Sequence, residues 1–421
     1  MADKILNMFF DFDRWVKAIE KGVFKDIRKS ELIRLTDEST RMVMADAMIN
    51  GKYEIFPPHT AQIPKENGEF RTVYVNEPAD RVVLGIANDL LFDLMPEMLH
   101  KSCKSYQTGI GCGKIVKEVS NRLSQNNYNG IMGWKADLSK YFDSVPIQFI
   151  DRAFDQVEKK YGHSVLIDML RKYYHNDLYF DENNQLQSKY QSLKQGCAVA
   201  SWLADVLLYD IDKELSVLDG YYVRYSDDML FVGKDYKKAM TTLQCRLNEM
   251  SMKLNPKKVE YLTKNQWFKF LGYSIKGDKI SLSSTRIKTF QKEIESRTID
   301  KPNRSLQKAI NSVNCYLYKG NGEYSWATQI LPVCNVKSDL NELNKFVLDC
   351  LRAVETGKRK IGGLGYVKNK SDGCIVRGTG KNVAANRSKT EPKIEGYLTI
   401  VCMQNAILTR RAVYNTLVAS L

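Results

Sequence analysis

The chain has 421 residues, of which 43% are hydrophobic and 27% are charged. This composition is that of a folded globular protein and excludes a largely disordered or collagen-like chain. Lys and Arg outnumber Asp and Glu by 63 to 49, a net charge of +14. Such an excess favours a polyanionic partner, either nucleic acid or an anionic membrane surface. The excess is concentrated between residues 357 and 393, which contain ten Lys and Arg but only two acids.

Three features of the sequence bear on location. No window has the roughly 18 consecutive apolar residues that a membrane-spanning helix needs. The first residues, MADKILNMFFDFDRW, carry acids inside their apolar run, unlike a secretory signal. The nine cysteines are scattered singly, without a CxxC pair, as in a reduced cytosolic protein. We therefore expect a cytoplasmic protein without a membrane partner.

In chain order, the predicted elements begin with a mainly helical region up to about residue 60. The segment IPKENGEFRTVYV (63–75) has extended flanks around Asn67-Gly68, a pair typical of a β-hairpin turn. A helix is expected from about residue 80 to 99. The glycine-punctuated SYQTGIGCG (105–113) then precedes another helix, which extends to about residue 123.

The second half of the chain mixes strands and helices. GWKADLSKYFDSVP (133–146) predicts a strand followed by a helix, and LKQGCAVASWLADVLLYDI (193–211) predicts a loop and one apolar helix. YYVRYSDDMLFVG (221–233) predicts two apolar strands joined by a tight turn. Further strands are expected at 254–262 and 268–275, helices from about 284 to 355, and a terminal helix after the basic segment. The predicted fold class is α+β.

Three carboxylates stand out in this pattern. Asp137 ends an apolar strand, while Asp227 and Asp228 occupy the tip of the apolar hairpin. A turn is a common place for Asp, but adjacent acids repel each other, and a third acid nearby is unfavourable without a counter-cation. Mg²⁺ prefers such oxygen ligands, and two ions can clamp an in-line phosphoryl displacement. A single site requires a fold that brings these distant strands together.

The order of the motifs is more informative than any one of them. DLSKYFD, LKQG, YSDD, LNPKK and FLGY follow one another as in the palm of reverse transcriptases, and IPKENGEFR and SYQTG resemble the fingers of that family. The resemblance covers about residues 60–275 and implies a right-hand polymerase with an antiparallel palm sheet. The implied domains are an N-terminal helical region (1–60), fingers (61–125), palm (126–280), a helical thumb (281–350) and a basic C-terminal RNA-binding extension (351–421).

The resemblance also implies roles for individual residues in catalysis and metal binding. The ligands of two Mg²⁺ ions, with Mn²⁺ as the alternative, would be Asp137, the backbone carbonyl of Leu138, Asp227 and Asp228. Lys258 matches the lysine that donates a proton to the leaving pyrophosphate, although the adjacent Lys257 leaves the register open. The template strand would be contacted by Tyr106, Gln107 and Gly109.

Five more residues, together with Leu138, are implied to hold the incoming dNTP. Lys65 and Arg71 would bind its triphosphate; the alternative is a solvated hairpin face. Phe142 matches the steric gate, whose ring leaves no room for a 2′-OH and so favours DNA over RNA; the alternative is a core aromatic. Gln195 and Gly196 match the loop beneath the nascent base pair, where the missing side chain permits close backbone approach.

Three positions depart from the pattern of the family. The loop reads Lys194-Gln195-Gly196-Cys197, where Pro-Gln-Gly-Ser is usual, and Asp205 stands where Asn is common. These changes put the template or nucleotide preference in doubt. They leave the predicted metal ligands intact.

The subgroup is inferred from what the sequence lacks. We find no nuclease motif of intron enzymes, no NAxxH or VTG signature of retron enzymes, and no RNase H domain. The rest resembles the bacterial defence-associated reverse transcriptases, which often use a dedicated non-coding RNA. This implies an RNA-directed DNA polymerase of anti-phage defence that copies such an RNA into DNA from dNTPs.

Other functions remain open at this point. They are template-independent or protein-primed DNA synthesis, a retron or group II intron-type reverse transcriptase, an RNA-dependent RNA polymerase, and a degenerate palm that serves as an RNA-binding scaffold. The sequence leaves the oligomeric state open.

Overall fold

A computed structural model describes residues 3–22, 24, 26–64, 69–106, 109–125, 129–189, 191–301, 304–318, 325–357, 359, 366–368, 375–377, 394 and 397. The chain forms two compact units, one made of residues 1–108 and 133–261 and the other of residues 109–132 and 262–421. Within the described residues, no helix is long and apolar enough to cross a bilayer.

The helices of the described residues are α1 (Lys4–Phe9), α2 (Phe12–Glu20), α3 (Lys29–Thr36), α4 (Glu38–Ile49), α5 (Pro78–Leu94), α6 (Cys112–Ser124), α7 (Tyr141–Ser144), α8 (Ile147–Tyr161), α9 (Val165–His175), α10 (Val199–Val206), α11 (Tyr209–Ser216), α12 (Tyr236–Glu249), α13 (Ser284–Arg297), α14 (Leu306–Tyr318) and α15 (Lys337–Thr356). Short 3₁₀ turns lie at Pro96–Met98, Pro256–Lys258 and Leu331–Val333, and a π-helical turn lies at Trp326–Ile330.

The strands are β1 (His59–Pro64), β2 (Phe70–Val75), β3 (Gly133–Asp137), β4 (Leu178–Phe180), β5 (Leu186–Ser188), β6 (Gly220–Tyr225), β7 (Asp228–Gly233), β8 (Glu260–Leu262), β9 (Phe268–Phe270), β10 (Tyr273–Lys276), β11 (Lys279–Leu282), β12 (Tyr366–Lys368) and β13 (Ile375–Arg377). The mixture of helices and mainly antiparallel sheets confirms the predicted α+β class.

Aspartates begin three of the N-terminal helices. The side chains of Asp3, Asp11 and Asp37 accept hydrogen bonds from backbone N–H groups in the first turns of α1, α2 and α4. Such caps satisfy donors that have no partner inside the helix. The predicted helical character of this region is confirmed.

The fingers-like hairpin belongs to the first unit. Strands β1 and β2 pair antiparallel from His59 opposite Val75 to Pro64 opposite Phe70, so the hairpin predicted from Asn67-Gly68 is confirmed, although the turn residues 65–68 lie outside the described residues. In the order β2-β1-β4-β5, this sheet also includes the short strands β4 and β5.

A second sheet of the first unit has the order β6-β7-β3-β8. Both β6 and β3 pair antiparallel with β7, which is buried along most of its length. One cause of this burial is α12, because the Trp134 indole N–H of β3 donates to the Tyr236 carbonyl of α12 at 2.9 Å and its ring stacks on Phe231 of β7. The helix α12 therefore packs against β3 and β7 of this sheet.

The second unit contains its own sheet and helices. Strands β9, β10 and β11 form an antiparallel meander, followed by α13, α14 and α15. Phe290 of α13 packs edge-on against Trp326, with ring centroids 4.9 Å apart. The predicted helices between about 284 and 355 are confirmed, while the predicted terminal helix lies outside the described residues.

Three predicted elements are wrong in detail. The helix expected from 80 to 99 ends at Leu94, where Pro96 follows and cannot donate to a helical carbonyl. The single helix expected up to residue 211 is two helices, α10 and α11. The strand expected at 254–262 is confined to β8, because the chain first makes the 3₁₀ turn that begins at Pro256.

Candidate active site

Two pairs of strands bring the three acids of the sequence motifs together. In the β3–β7 pair, Asp137 lies directly opposite Asp228. In the β6–β7 hairpin, Tyr225 lies opposite Asp228, so Ser226 and Asp227 form a two-residue turn. The three carboxylates therefore share one end of the sheet, although Asp137 is about ninety positions from the other two in the sequence.

Burial and mutual repulsion act on these carboxylates. Burial raises the pKa of Asp227, and the charge of Asp137 raises it further, while Lys258 and Arg71 oppose the shift. Burial, together with the charges of Asp227 and Asp137, raises the pKa of Asp228 to about 6. A cluster of this kind is unfavourable as bare anions and fits a divalent cation, which would supply the missing positive charge.

Lys258 places a positive charge next to the acids. Its ammonium is 2.7 Å from Oδ2 of Asp137. Partial burial is the largest single effect and lowers the pKa of Lys258, but the hydrogen bond to Asp137 and the charges of the three acids together raise it above its usual value. Of the two adjacent lysines, Lys258 is the one whose ammonium reaches the acids. A cation already sits on Asp137, so the donor set accepts positive charge.

The segment after Asp137 is fixed by backbone contacts. The Asp137 carbonyl accepts the Asn255 N–H at 2.8 Å, and Leu138 forms an isolated antiparallel bridge with Leu254. Leu138 itself is buried. These contacts place the 3₁₀ turn that carries Lys258 beside the end of β3.

Phe142 follows on the short helix α7. The chain enters α7 through Lys140, whose φ of +49° turns the backbone sharply. The half-buried Phe142 ring packs edge-on against Tyr141 at 5.5 Å, and the Tyr141 hydroxyl donates to the Ala204 carbonyl at 2.9 Å. The buried Tyr141 thus fixes α7 to α10. Phe142 is the next residue of α7, five positions after Asp137 in the sequence.

The loop before α10 lies against the fingers strand β2. The Gln195 carbonyl accepts the Tyr74 N–H at 2.7 Å. Gly196 has a φ of +107°, and a Cβ at this position would lie 2.7 Å from the Tyr74 carbonyl oxygen. Both the dihedral angle and the close approach require glycine here.

The remaining predicted residues are placed less centrally or not described. Arg71 lies opposite Ile63 on β2 with its side chain exposed, and its charge acts on Asp227. Tyr106 is 49% exposed and has a φ of +52°. Gly109 begins a segment of the second unit and has a φ of +81°. The predicted residues Lys65 and Gln107 lie outside the described residues.

Two buried cations near the site were missed by the sequence analysis. Arg224 of β6 is fully buried behind the turn formed by Ser226 and Asp227, and Lys194 is 2% exposed in the loop before Gln195. A charged residue inside an apolar strand, as in YYVRY, was the available signal for Arg224. Lys194 had the signal of departing from the usual proline.

Comparison with known proteins identifies the class. The family model described as reverse transcriptase (RNA-dependent DNA polymerase) matches residues 63–275, half of the chain. The chain belongs to this family. The match includes the end of β1, all of β2 and the three acids at the end of the β6-β7-β3 sheet. The predicted right-hand polymerase fold is confirmed.

Individual relatives are distant. The chain is 26% identical over 165 residues to the COX1/OXI3 intron 2 protein of Saccharomyces cerevisiae, which covers 39% of this chain and 18% of that protein. It is 22% identical over 333 residues to the COX1/OXI3 intron 1 protein of the same yeast, covering 64% of this chain and 39% of that protein. The chain thus spans less than half the length of the curated relatives it matches.

Solved structures similar to this chain include two yeast telomerases. Apo telomerase from Candida tropicalis has a TM-score of 0.45 at 13% identity and covers 72% of this chain and 58% of that one. Telomerase from Candida albicans in complex with a TWJ fragment of telomeric RNA has a TM-score of 0.44 at 12% identity, covering 72% and 55%.

Proposed function

We propose that the protein is an RNA-directed DNA polymerase that adds dNTPs to a primer by nucleotidyl transfer with two Mg²⁺ ions. The observation that carries the proposal is the meeting of Asp137, Asp227 and Asp228 at one end of the β6-β7-β3 sheet, inside a reverse transcriptase domain. Asp137 is buried, Asp227 and Asp228 are half-buried, and the three acids repel one another beside a lysine ammonium, which supports a cation site.

The residues that would hold the ions are the three carboxylates together with the backbone carbonyl of Leu138. Oxygen donors of this kind suit Mg²⁺, and Mn²⁺ is the expected substitute. When bound, such ions supply positive charge to the reacting phosphate and lower the pKa of the attacking hydroxyl. Asp137 and Asp228 lie on paired strands and Asp227 on the turn between strands, so the donors are organised before substrate binds.

The nucleotide would be held by groups of the fingers and of the floor of the site. Arg71, with Lys65 on the same hairpin, would bind the triphosphate, where cations counter the charge of the leaving pyrophosphate. Phe142 would exclude a 2′-OH. Gln195 and Gly196 would support the nascent base pair, since their backbone is fixed against β2 by Tyr74.

Lys258 would donate the proton that the pyrophosphate needs as it leaves. Its ammonium is protonated and lies within hydrogen-bonding distance of the acid cluster. General acids positioned in this way typically contribute about 10²- to 10⁴-fold to rate.

RNA is the proposed template partner. Tyr106, with Gln107 and Gly109, would contact the template strand, and the half-exposed Tyr106 ring is suited to stacking on a base. The basic segment from residue 357 to 393 would bind RNA phosphates, so binding should weaken steeply with salt. The domains proposed for these tasks are the fingers, palm, thumb and basic extension predicted from the sequence.

The biological setting is proposed from the sequence alone. A short palm with a basic extension, and GKRKIGGLGYV at 357–367, support a bacterial anti-phage reverse transcriptase that copies a non-coding RNA in the cytoplasm. Sequencing the nucleic acid that copurifies with the protein would test this. One discrete RNA with matching cDNA supports the proposal, whereas a homopolymer product supports untemplated synthesis.

An intron-type enzyme is the second candidate, because both curated relatives are named as intron proteins. The same sequencing experiment separates the two. An intron RNA as the bound template would favour this candidate over the defence role.

The catalytic proposal is tested by primer extension on an RNA template with Mg²⁺ and dNTPs. We expect the double variant Asp227→Ala plus Asp228→Ala to retain RNA binding and to lose incorporation. Equal incorporation by the wild type and the double variant would refute the polymerase proposal. Intact biological function without incorporation would instead support an RNA-binding scaffold.

A further inference from the structure

A fully buried arginine lies behind the catalytic turn. Arg224 is 0% exposed and is the next-to-last residue of β6, between Val223 and Tyr225. Burying a guanidinium is unfavourable unless its charge and all its N–H groups are matched. The arginine must therefore be judged by its partners.

Each N–H of this guanidinium has an acceptor. Its Nε and Nη2 grip both oxygens of Asp212 on α11, at 2.8 and 2.6 Å. The other bonds go to backbone carbonyls, those of Asp205 at 2.8 Å and Ala204 at 3.2 Å on α10, and that of Ser226 at 3.2 Å. Arginine alone among cations has the planar fork for such a set.

The bond to Ser226 acts on the peptide that leads into Asp227. Ser226 is the first residue of the two-residue turn and has a φ of +54°. Turns of this length favour glycine where φ is positive. A non-glycine residue keeps such a backbone only where its surroundings enforce it. Nη1 of Arg224 is one group that enforces it.

A second arm of the cluster reaches the segment before the predicted template contact Tyr106. The Ser105 hydroxyl donates to Oδ1 of Asp205 at 2.5 Å, and that oxygen is 3.8 Å from Arg224. Along the backbone, Arg224 donates to the Ser102 carbonyl at 2.9 Å and accepts from the Lys104 N–H at 2.8 Å. The same arginine thus joins the template segment to the metal-binding turn.

We propose that Arg224 is a positioning residue, which holds the peptide between Ser226 and Asp227 in the conformation that presents Asp227 to the metal ions and ties this turn to the segment 102–105. The proposal rests on the proposed polymerase function. It differs from a purely structural role in one respect: the effect of changing Arg224 passes through the backbone of Ser226.

The test uses rescue by glycine. Arg224→Lys keeps the charge but loses the fork, and Ser226→Gly removes the side chain that opposes a positive φ. We expect Arg224→Lys to lower kcat roughly 100-fold, as for a misplacement of about an ångström, with little change in KM for the primer–template. Adding Ser226→Gly should restore at least about tenfold of that loss.

A second readout does not depend on catalysis. Mn²⁺ binding, measured from the EPR signal of free Mn²⁺, should be weaker in Arg224→Lys than in the wild type and stronger again in the double variant. Arg246→Lys is the matched control, since Arg246 pairs with Glu214 on α11, at 2.9 Å, but does not bond the turn. It should leave kcat and Mn²⁺ binding unchanged.

The outcomes separate the two proposals. If the wild type incorporates no nucleotide, the polymerase proposal fails, and Mn²⁺ binding still tests Arg224. If Arg224→Lys is as active as the wild type, or if its loss persists in the presence of Ser226→Gly, the positioning role is overturned. Should thermal melting show that Arg224→Lys is unfolded, Asp212→Asn, which loosens the arginine without removing it, is measured with and without Ser226→Gly by the same criteria.

Discussion

Two hairpins of the first unit carry charges of opposite sign and differ in how they are held. The β6–β7 hairpin, which presents Asp227 and Asp228, is buried along most of its length and supported from behind by Arg224. The β1–β2 hairpin, which presents Arg71, is exposed at most positions. The acids that we propose as metal ligands thus lie at the end of a mostly buried pair of strands. Arg71, the proposed triphosphate ligand, lies on the exposed part of a hairpin that is held at Tyr74 by the Gln195 carbonyl.

This difference has a physical reason. Preorganised charge stabilises a transition state because no reorganisation is needed during reaction, and the acids have this property. Fingers that close over a nucleotide must change position, so their cations are better placed on an exposed element. We therefore expect variants of the acids to lower kcat and variants of the fingers to raise KM.

The largest effect is expected for Asp137→Asn. The substitution removes a negative charge from the metal site, and incorporation should fall by roughly 10³-fold or more. Thermal stability should change little, because the weaker repulsion among the acids offsets the loss of the ion pair between Asp137 and Lys258. Primer extension and a thermal melt measure the two effects. Asp155→Asn, which removes an exposed partner of Arg171, is the control that should keep activity. A parallel loss of stability and activity would contradict a preorganised site.

Arg71→Ala should have the next largest effect. Losing a charge-assisted contact to the triphosphate should raise KM for dNTP by about 10- to 100-fold, with a smaller change in kcat. Steady-state kinetics with varied dNTP measures both constants, and Arg81→Ala, which breaks a surface pair with Asp26, is the control. A fall in kcat at unchanged KM would show that the exposed hairpin acts on the chemical step, and the contrast between the hairpins would fail.

Phe142→Ala tests the proposed selection of the sugar. Opening the space beside the sugar should raise the efficiency with rNTPs relative to dNTPs by roughly 10- to 200-fold, the range for one missing apolar contact. Extension reactions with each nucleotide set give the ratio. Phe149→Ala on α8 is the control, because its ring belongs to another helix. An unchanged ratio would assign Phe142 to packing against Tyr141 rather than to sugar selection.

The elements that carry the motifs were predictable because their patterns are local. The short apolar runs on either side of Ser-Asp-Asp predict one hairpin, and Asn-Gly between two extended runs predicts another. Both hairpins are observed. The pairing of Asp137 with Asp228 was expected only through the family resemblance. Their separation in sequence means that no local pattern encodes it.

The supporting cations were not predictable in the same way. Arg224 is stabilised by Asp212 of α11, by two backbone carbonyls of α10 and by the Ser226 carbonyl. Only the folded chain brings these acceptors together. The choice of Lys258 over Lys257 depends on one 3₁₀ turn, which strand periodicity did not indicate. Long-range polar networks of this kind are tertiary information.

The smallest effect is expected for Lys194, in the loop that contacts β2. Lys194 precedes Gln195, whose carbonyl bonds β2, and its ammonium donates to the Tyr173 and Asn176 carbonyls at 2.6 and 2.8 Å. Burial lowers the pKa of Lys194 to about 8; the charges of Cys197 and Asp177 raise it, and that of Lys189 lowers it.

Because the folded pKa of Lys194 lies below the unfolded value of about 10.4, the unfolded chain holds more protons between these pH values. Wild-type stability relative to Lys194→Met should therefore be constant below pH 8 and rise toward pH 10, by at most about 3 kcal/mol. Urea denaturation of both proteins across this range measures the difference, which cancels the titration of unaffected groups. A flat difference would contradict this prediction. It would mean that the two carbonyls and the Tyr173 ring, whose centroid lies 4.0 Å from the ammonium, keep Lys194 charged. The loop that contacts β2 would then be held by a charged lysine rather than by a neutral amine.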